Sequence, residues 1–231
     1  MPNAVVAMNG DPRNRGCAGR MSRSFRARIP SLRHRTSLSI ESGWLRGARR
    51  LPSENANERP DPGEISLLVI HNISLPPGRF GGGFVEQLFL NCLDCTMHPW
   101  FERLRGLRVS AHLLIDRRGR LTQFVPFGLR AWHAGESSFA GRRNCNDFSV
   151  GIELEGTDER PYTKAQYARL ARVTRALMRA YPAITAERIV GHCDIAPGRK
   201  SDPGRAFDWA HYRAALAARD RAGLAGAQGE L

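Results

Sequence analysis

Long apolar runs are missing from this 231-residue sequence. No window approaches the roughly 18 to 20 uninterrupted apolar residues that a membrane-spanning helix needs, so we expect no membrane partner. Cysteine is scarce: five residues at irregular spacing do not form the framework of a disulfide-rich secreted protein, and they favour a reducing compartment. An apolar fraction of 42% with 25% charged residues is ordinary for a globular protein. These features predict a cytoplasmic globular protein.

Lysine is rare as well, with two residues against 33 arginines. Acidic residues are almost missing from the first 40 positions, where eight arginines and one aspartate supply +7 of the total formal charge of +13. Such an arm attracts nucleic acid, but we find no zinc-finger spacing, basic zipper or aromatic strand pattern that would read bases. The arm also has the composition of an organelle transit peptide, although a disordered tail is the simpler interpretation. We predict no specific nucleic-acid partner.

Composition divides the chain into three ranges. We predict a basic, disordered extension at 1–42, a folded domain at 43–220 and a flexible tail at 221–231. The polar segment 52–63, with three prolines, predicts a surface loop. Predicted strands are 65–70, 109–115, 121–125, 149–154 and 188–190, and predicted helices are 84–90, 163–181 and 209–218. This order predicts an α/β domain with a mixed sheet flanked by helices.

Two histidines stand at the ends of predicted buried strands: His71 follows Leu-Val-Ile, and His192 follows Ile-Val-Gly. Ligands often bind at the edge of a sheet where the carboxyl ends of its strands meet. Asp202 lies ten residues beyond His192. Two imidazoles and one carboxylate are the three-ligand set of a catalytic zinc ion, which keeps a fourth position for water. A structural role is the alternative for each of these residues. A histidine at a strand end is commonly a hydrogen-bonding group, and an aspartate before a proline commonly caps a turn or helix. The spacing matches no compact zinc motif such as H-E-x-x-H.

Two charged residues fit the same arrangement. Glu153 lies in an apolar strand, where alternation places it on one face with Glu155. A carboxylate on a buried face is costly unless it is paired or functional, so Glu153 is either a general base or half of an ion pair with an arginine. Lys200, two residues before Asp202, either stabilises a developing oxyanion or is a solvated surface group.

Other chemistries find little support in the sequence. No G-x-S-x-G nucleophile elbow occurs, and the glycines at 81–83 lack the Gly-Lys-Ser/Thr end of a phosphate loop. Cys92 and Cys95 form one C-x-x-C pair without a second, so we expect neither a zinc nor a redox role for them. Trp132 and His133 either line a sugar-binding cleft or pack in the core.

Several longer segments resemble a known family. They are LLVIHNISLPPG at 67–78, LRVSAH at 107–112, RAWHAG at 130–135, CNDFSVGIELEG at 145–156 and GHCDIAPGRKSDPG at 191–204. They are similar to the cytoplasmic 1,6-anhydro-N-acetylmuramyl-L-alanine amidases, a branch of the type 2 N-acetylmuramoyl-L-alanine amidases, and the likeness runs from about Gly43 to Tyr212. The resemblance implies the type 2 amidase fold shared with peptidoglycan recognition proteins, a mixed central sheet flanked by helices.

The resemblance also implies roles for individual residues. The zinc ligands would be His71, His192 and Asp202, the catalytic residues Glu153 and Lys200, and the residues contacting the muropeptide Asn72 and Arg108. The implied reaction is hydrolysis of the amide between the N-acetylmuramyl lactyl group and L-alanine, in peptidoglycan recycling. Asn144 departs from the family pattern, which has a basic residue there; Arg142 and Arg143 stand just upstream.

Three alternative hypotheses fit parts of the sequence. An amidase of the same fold that attacks intact peptidoglycan predicts an export signal, and we find no apolar segment of that kind. A non-catalytic peptidoglycan-binding module predicts the loss of a metal ligand, whereas all three positions are occupied. Nucleic-acid binding through residues 1–40 predicts an affinity that falls steeply with salt. We favour a monomeric zinc amidase acting on anhydro-muropeptides.

Overall fold

The computed structural model describes residues 38–218. The predicted basic extension up to residue 37 and the predicted tail at 221–231 lie outside the described residues. No helix within 38–218 has the length and apolar character needed to cross a bilayer.

The strands in the described range are short, apart from two of seven residues. They are β1 Ile40–Glu41, β2 Trp44–Leu45, β3 Arg49–Arg50, β4 Ala56–Asn57, β5 Leu67–Ile73, β6 Leu113–Ile115, β7 Leu121–Gln123, β8 Arg130–Ala131, β9 Ser138–Phe139, β10 Arg142–Arg143, β11 Ser149–Glu155 and β12 Ile189–Gly191. The α-helices are α1 Phe84–Phe89, α2 Lys164–Ala180, α3 His192–Ile195 and α4 Trp209–Ala217. Short 3-10 helices cover Cys95–Met97, Pro99–Leu104, Cys145–Asp147 and Ala186–Arg188.

A six-stranded sheet forms the centre, with the strand order β12-β5-β11-β6-β7-β3. Neighbours are parallel from β12 to β6 and again between β7 and β3, whereas β6 and β7 are antiparallel. The sheet is therefore mixed, as the sequence predicts. The predicted hairpin at 109–115 and 121–125 is confirmed in shorter form, because Ser110 bonds to the segments around Asn55 and Trp132 instead.

Helix α2 begins and ends where local sequence signals place its limits. The Thr163 hydroxyl accepts from the Gln166 backbone N–H, and the Gln166 side chain accepts from the Thr163 N–H, which is the predicted capping box. The helix stops before Pro182, a residue that disfavours helical geometry at the position preceding it. Its buried face, which includes Leu170, Val173 and Leu177, packs on the sheet.

Alternation along the two long strands gives the sheet two different faces. Even-numbered residues such as Ile70 and Ile152 face α2 in the main apolar core. On the opposite face, Leu67 and Val69 lie in a separate, smaller cluster, and the next odd-numbered position of β5 is His71. The sheet thus supports an apolar core on one side and a polar group at the strand ends on the other.

Candidate active site

Strand register brings the predicted site residues together. Strands β5 and β11 are parallel with His71 opposite Glu153. Strand β12 pairs on the other side of β5 with Gly191 opposite Ile70, so His192 follows at the same edge. Three residues that lie up to 121 positions apart therefore become neighbours through backbone pairing alone.

The side chains of His71, His192 and Asp202 converge on one point. The two Nδ1 atoms lie 3.0 Å apart, and each lies 3.1 Å from Oδ2 of Asp202. Both histidines are buried, and one ligand atom from each of the three residues fits within 4.8 Å. Because tetrahedral zinc bonds of about 2.0–2.2 Å set neighbouring ligand atoms roughly 3.3 Å apart, this spacing fits a metal ion.

The hydrogen bonds behind the two imidazoles also fit a metal. Nε2 of His192 lies 3.1 Å from the Ala134 carbonyl, which can only accept, so in the neutral ring Nδ1 carries a lone pair. Nε2 of His71 lies 2.9 Å from Nδ1 of His133. Burial lowers the pKa of His71 to about 4 and outweighs the contact with the Asp202 carboxylate, which raises it. Neutral imidazoles beside a carboxylate are the donor set that zinc prefers.

Asp202 reaches the histidines from a loop tied to α3. Its backbone carbonyl accepts from the Cys193 N–H at 2.9 Å. Burial would raise the pKa of Asp202, but the close contacts of its carboxylate with His192 and His71 outweigh that effect and hold the pKa below its usual value. The loop continues past Gly204, which has φ of +77° and whose added Cβ would lie 2.1 Å from Cα of Asp158. Only glycine fits there, so the path of this loop is closely fixed.

Glu153 is buried beside this group without a partner for one oxygen. Its Oε2 atom has no hydrogen-bond partner among residues 38–218. Burial raises the pKa of Glu153 well above its usual value, and the charge of Asp202 adds to the effect while that of Lys200 opposes it. The ion pair with an arginine that the sequence left open is absent from the pairs formed by the described residues. A buried, proton-accepting carboxylate beside three possible metal ligands suits a general base.

A cavity of about 750 Å³ opens in front of these groups. Lys200 lies in its wall with His71, Glu153, His192 and Asp202, and is exposed to solvent. The other wall is apolar and comes partly from the 3-10 helix Pro99–Leu104, with Trp100 and Leu104, and from Leu107. This wall could not be predicted from the sequence, because six residues of 3-10 helix show no amphipathic period.

The structure separates the two predicted substrate-contacting residues. Asn72 lines the main cavity, and its side chain donates to Oδ1 of Asp158 at 2.7 Å. Arg108 instead lines a neighbouring cavity of about 340 Å³ and lies 3.8 Å from Glu54, with both side chains exposed. Asn144, which departs from the family pattern, has φ of +60°, a left-handed conformation in which asparagine is enriched.

His133 and Trp132 prove to have different surroundings. His133 lines the main cavity and contacts His71, whereas the Trp132 indole donates to Oδ1 of Asn57 at 2.6 Å. The contact of His133 with His71 is the one that the sequence did not predict. One signal was present: Gly151 interrupts a strand of large apolar residues, and a glycine inside a strand often marks a close approach.

Comparisons with known proteins agree with this fold. Residues 61–205 match the family described as N-acetylmuramoyl-L-alanine amidase. The chain is 59% identical over 174 residues to the 1,6-anhydro-N-acetylmuramyl-L-alanine amidase AmpD of Escherichia coli (strain K12), covering 75% of this chain and 94% of that protein. It is 56% identical over 173 residues to AmpD of Haemophilus influenzae, again covering 75% and 94%.

Two solved structures are similar as well. A crystal structure of a selenomethionine derivative of AmpD has 58% sequence identity and a TM-score of 0.75, covering 77% of this chain and 98% of that one. The solution structure of Citrobacter freundii AmpD has 58% identity and a TM-score of 0.57, covering 77% and 94%. The fold is that of the type 2 amidases, as predicted.

The chain belongs to the N-acetylmuramoyl-L-alanine amidase family. The predicted family and the predicted class of enzyme, an amide hydrolase, are therefore confirmed.

Proposed function

We propose that this enzyme hydrolyses the amide between the lactyl group of 1,6-anhydro-N-acetylmuramic acid and L-alanine in muropeptides, and that it does so in the cytoplasm during peptidoglycan recycling. The names of relatives with 54–59% identity support this substrate. We further propose that it acts as a monomer without a nucleic-acid or membrane partner.

The metal in this proposal is Zn²⁺, held by His71, His192 and Asp202. When bound in such a site, zinc acts as a Lewis acid toward the scissile carbonyl and lowers the pKa of water. The observation that carries the proposal is the convergence of these three donors beside a buried carboxylate oxygen without a partner. Lone pairs so close together repel one another unless a cation lies between them.

Four further residues act on the attacking water or on the substrate. Glu153 accepts a proton from the attacking water, because its raised pKa makes the carboxylate a stronger base. It then delivers that proton to the departing nitrogen of L-alanine. Lys200, in the same cavity wall, places a positive charge near the oxygen that becomes negative as the carbonyl is attacked. Asn72 contacts the sugar or peptide in this cavity, and Arg108 contacts a more distant part from the neighbouring one.

Mass spectrometry tests the proposal directly. Purified full-length protein with a measured zinc content is incubated with an anhydro-muropeptide, and we expect release of the free peptide and the anhydro sugar. A zinc-loaded sample that leaves the muropeptide intact would refute the assigned reaction.

Matched substrates separate the alternatives. The same peptide attached to N-acetylmuramic acid with a reducing end, or intact peptidoglycan, should be cleaved more slowly than the anhydro form. Comparable rates on all three would favour an enzyme of intact cell wall. Binding of every substrate without cleavage would favour a non-catalytic module.

A further inference from the structure

Two consecutive residues support both histidines of the proposed metal site. Nδ1 of His133 lies 2.9 Å from Nε2 of His71, and the carbonyl of the next residue, Ala134, lies 3.1 Å from Nε2 of His192. Each imidazole therefore has its outer nitrogen engaged by the same dipeptide while its inner nitrogen faces Asp202.

The contacts of His133 suit the tautomer of His71 that metal binding through Nδ1 requires. Its own Nε2 lies 3.1 Å from the Ser149 hydroxyl oxygen, which can donate or accept a hydrogen bond. With the His133 proton on Nε2, its Nδ1 is a pure acceptor, so the proton of His71 stays on Nε2 and the Nδ1 of His71 keeps its lone pair. When His71 binds the ion through Nδ1, its Nε2–H donates to Nδ1 of His133, and the Nε2–H of His133 then donates to the Ser149 hydroxyl.

Hydrogen bonds from other segments hold the dipeptide His133-Ala134 in place. Oδ1 of Asn146 accepts from the backbone N–H groups of His133 and Ala134 at 3.1 and 2.8 Å. The buried Arg59 guanidinium donates to the carbonyls of Asn146 and Ser149 at 3.1 and 2.8 Å. The two residues that support His133 are thus joined to one another, and this network holds the dipeptide in place.

Steric fit fixes the His133 ring as well. A Cβ added to Gly151 would lie 2.5 Å from two atoms of the ring, so the glycine leaves a slot that the imidazole fills. The ring meets that of His71 edge-on, with centroids 5.0 Å apart and an angle of 87° between the planes. A side chain packed this closely has little freedom to turn away.

We propose that His133 is a positioning residue for the metal site: together with the Ala134 carbonyl, it fixes the tautomer and orientation in which both histidines present Nδ1 to the ion. The inference deepens the proposed function and rests on the metal site it contains. Outer hydrogen bonds of this kind raise metal affinity by roughly 10- to 100-fold.

Zinc affinity is the measurement that tests this role. Metal-free full-length protein is titrated with zinc against a chelating indicator, and its Co²⁺ form is recorded by visible absorption. His133→Phe keeps a ring but removes the acceptor, and we expect its zinc affinity to fall by roughly 10- to 100-fold with an altered Co²⁺ spectrum. His133→Asn places an amide oxygen near the former Nδ1 position and should restore most of the affinity. His211→Phe, at an exposed position of α4, is the matched control.

An unchanged zinc affinity and Co²⁺ spectrum in His133→Phe would overturn the inference, as would an Asn variant that binds zinc no better than Phe. Circular dichroism shows whether the Phe variant folds. If it does not, Ser149→Ala decides, because it removes only the acceptor beyond His133: weaker zinc binding supports the role and unchanged binding refutes it. These readouts need no substrate. Wild-type protein that binds zinc but cleaves no muropeptide would refute the proposed reaction alone.

Discussion

The two faces of the central sheet are made by the same strands, but one face is apolar and the other is polar. Toward α2, Ile70 and Ile152 lie in a continuous apolar core. One position further along each strand, His71 and Glu153 are also buried but are polar. Burying the first pair favours folding by about 1.5–3 kcal/mol per side chain, whereas burying ionisable groups costs free energy unless they are paired.

The direction of the pKa shifts shows what the polar face lacks. Burial lowers the pKa of His71 to about 4 and that of His133 well below its usual value, and it raises the pKa of Glu153. Each shift favours the neutral form, as desolvation requires. The proposed metal site and general base therefore lie on a face that costs stability, and the apolar face supplies the stability.

Removing a ligand should produce the largest effect. We expect Asp202→Ala to lose its metal and nearly all activity, because two histidines alone do not complete the three-ligand set. Metal content of the purified variant, measured by mass spectrometry, checks the first effect, and turnover of anhydro-muropeptide checks the second. Asp61→Ala, in an exposed turn, should retain both. An Asp202 variant with a full complement of zinc would show that the polar face holds its metal elsewhere.

Replacing the base should separate chemistry from metal binding. Glu153→Gln keeps the shape of the side chain but cannot accept a proton, so we expect zinc content to stay and kcat to fall by roughly 10²- to 10⁴-fold. The metal-free variant should also unfold at a higher temperature than the wild type, because it no longer buries an unpaired acid. Full activity of Glu153→Gln would exclude Glu153 as the base. An unchanged Tm of the metal-free variant would show that burial of the Glu153 carboxyl does not destabilise the protein.

Sequence reasoning succeeds on the apolar face and at the strand ends, where local patterns carry the information. Runs of β-branched residues predict β5 and β11, and the Thr163 capping box predicts the start of α2. The histidine and glutamate candidates follow from the same patterns, since strand ends and alternation are local properties.

The support beneath the site is not local. The predicted surface loop at 52–63 contains Arg59, which is only 3% exposed and reaches the carbonyls of residues about 90 positions away. His133 finds His71 through the path of a loop rather than through any period in the sequence. Such contacts depend on how separate segments pack, so composition and spacing could not predict them.

Mutation in the apolar core should affect stability without touching chemistry. Leu170 on α2 is fully buried, and Leu170→Ala should lower the free energy of unfolding by about 2–5 kcal/mol. Urea denaturation measures this loss, and zinc affinity and kcat of the folded fraction should remain near wild type. Leu107→Ala, at a half-exposed position of the cavity wall, should show the reverse pattern, with a raised KM and little loss of stability. A Leu170 variant with weakened zinc binding would mean that the two faces are coupled.

Acid should destabilise the polar face gradually. His112 is fully buried; its Nδ1 accepts from the Gly151 N–H at 3.0 Å, and its Nε2 donates to the Leu129 carbonyl at 3.1 Å. Burial and the charge of Arg59 lower the pKa of His112 to about 3, below the ordinary value near 6.5. The unfolded chain therefore binds more protons between these values, so the stability contributed by neutral His112 is complete above pH 6.5 and is lost as pH falls toward 3.

Protonation of His112 on unfolding should lower the free energy of unfolding by up to about 1.4 kcal/mol per pH unit below pH 6.5. A substitution at this position isolates that contribution. Urea unfolding of metal-free protein at pH 7 and pH 5.5 gives the loss for the wild type; metal-free protein is used because zinc affinity also depends on pH. His112→Asn keeps an acceptor for Gly151 but cannot titrate, so its loss over the same interval should be smaller by about 1 kcal/mol. His211→Asn controls for removal of an imidazole at an exposed site. Equal pH dependence in the wild type and His112→Asn would mean that His112 takes up no proton on unfolding, and the acid sensitivity of this face would then rest on His71 and His133.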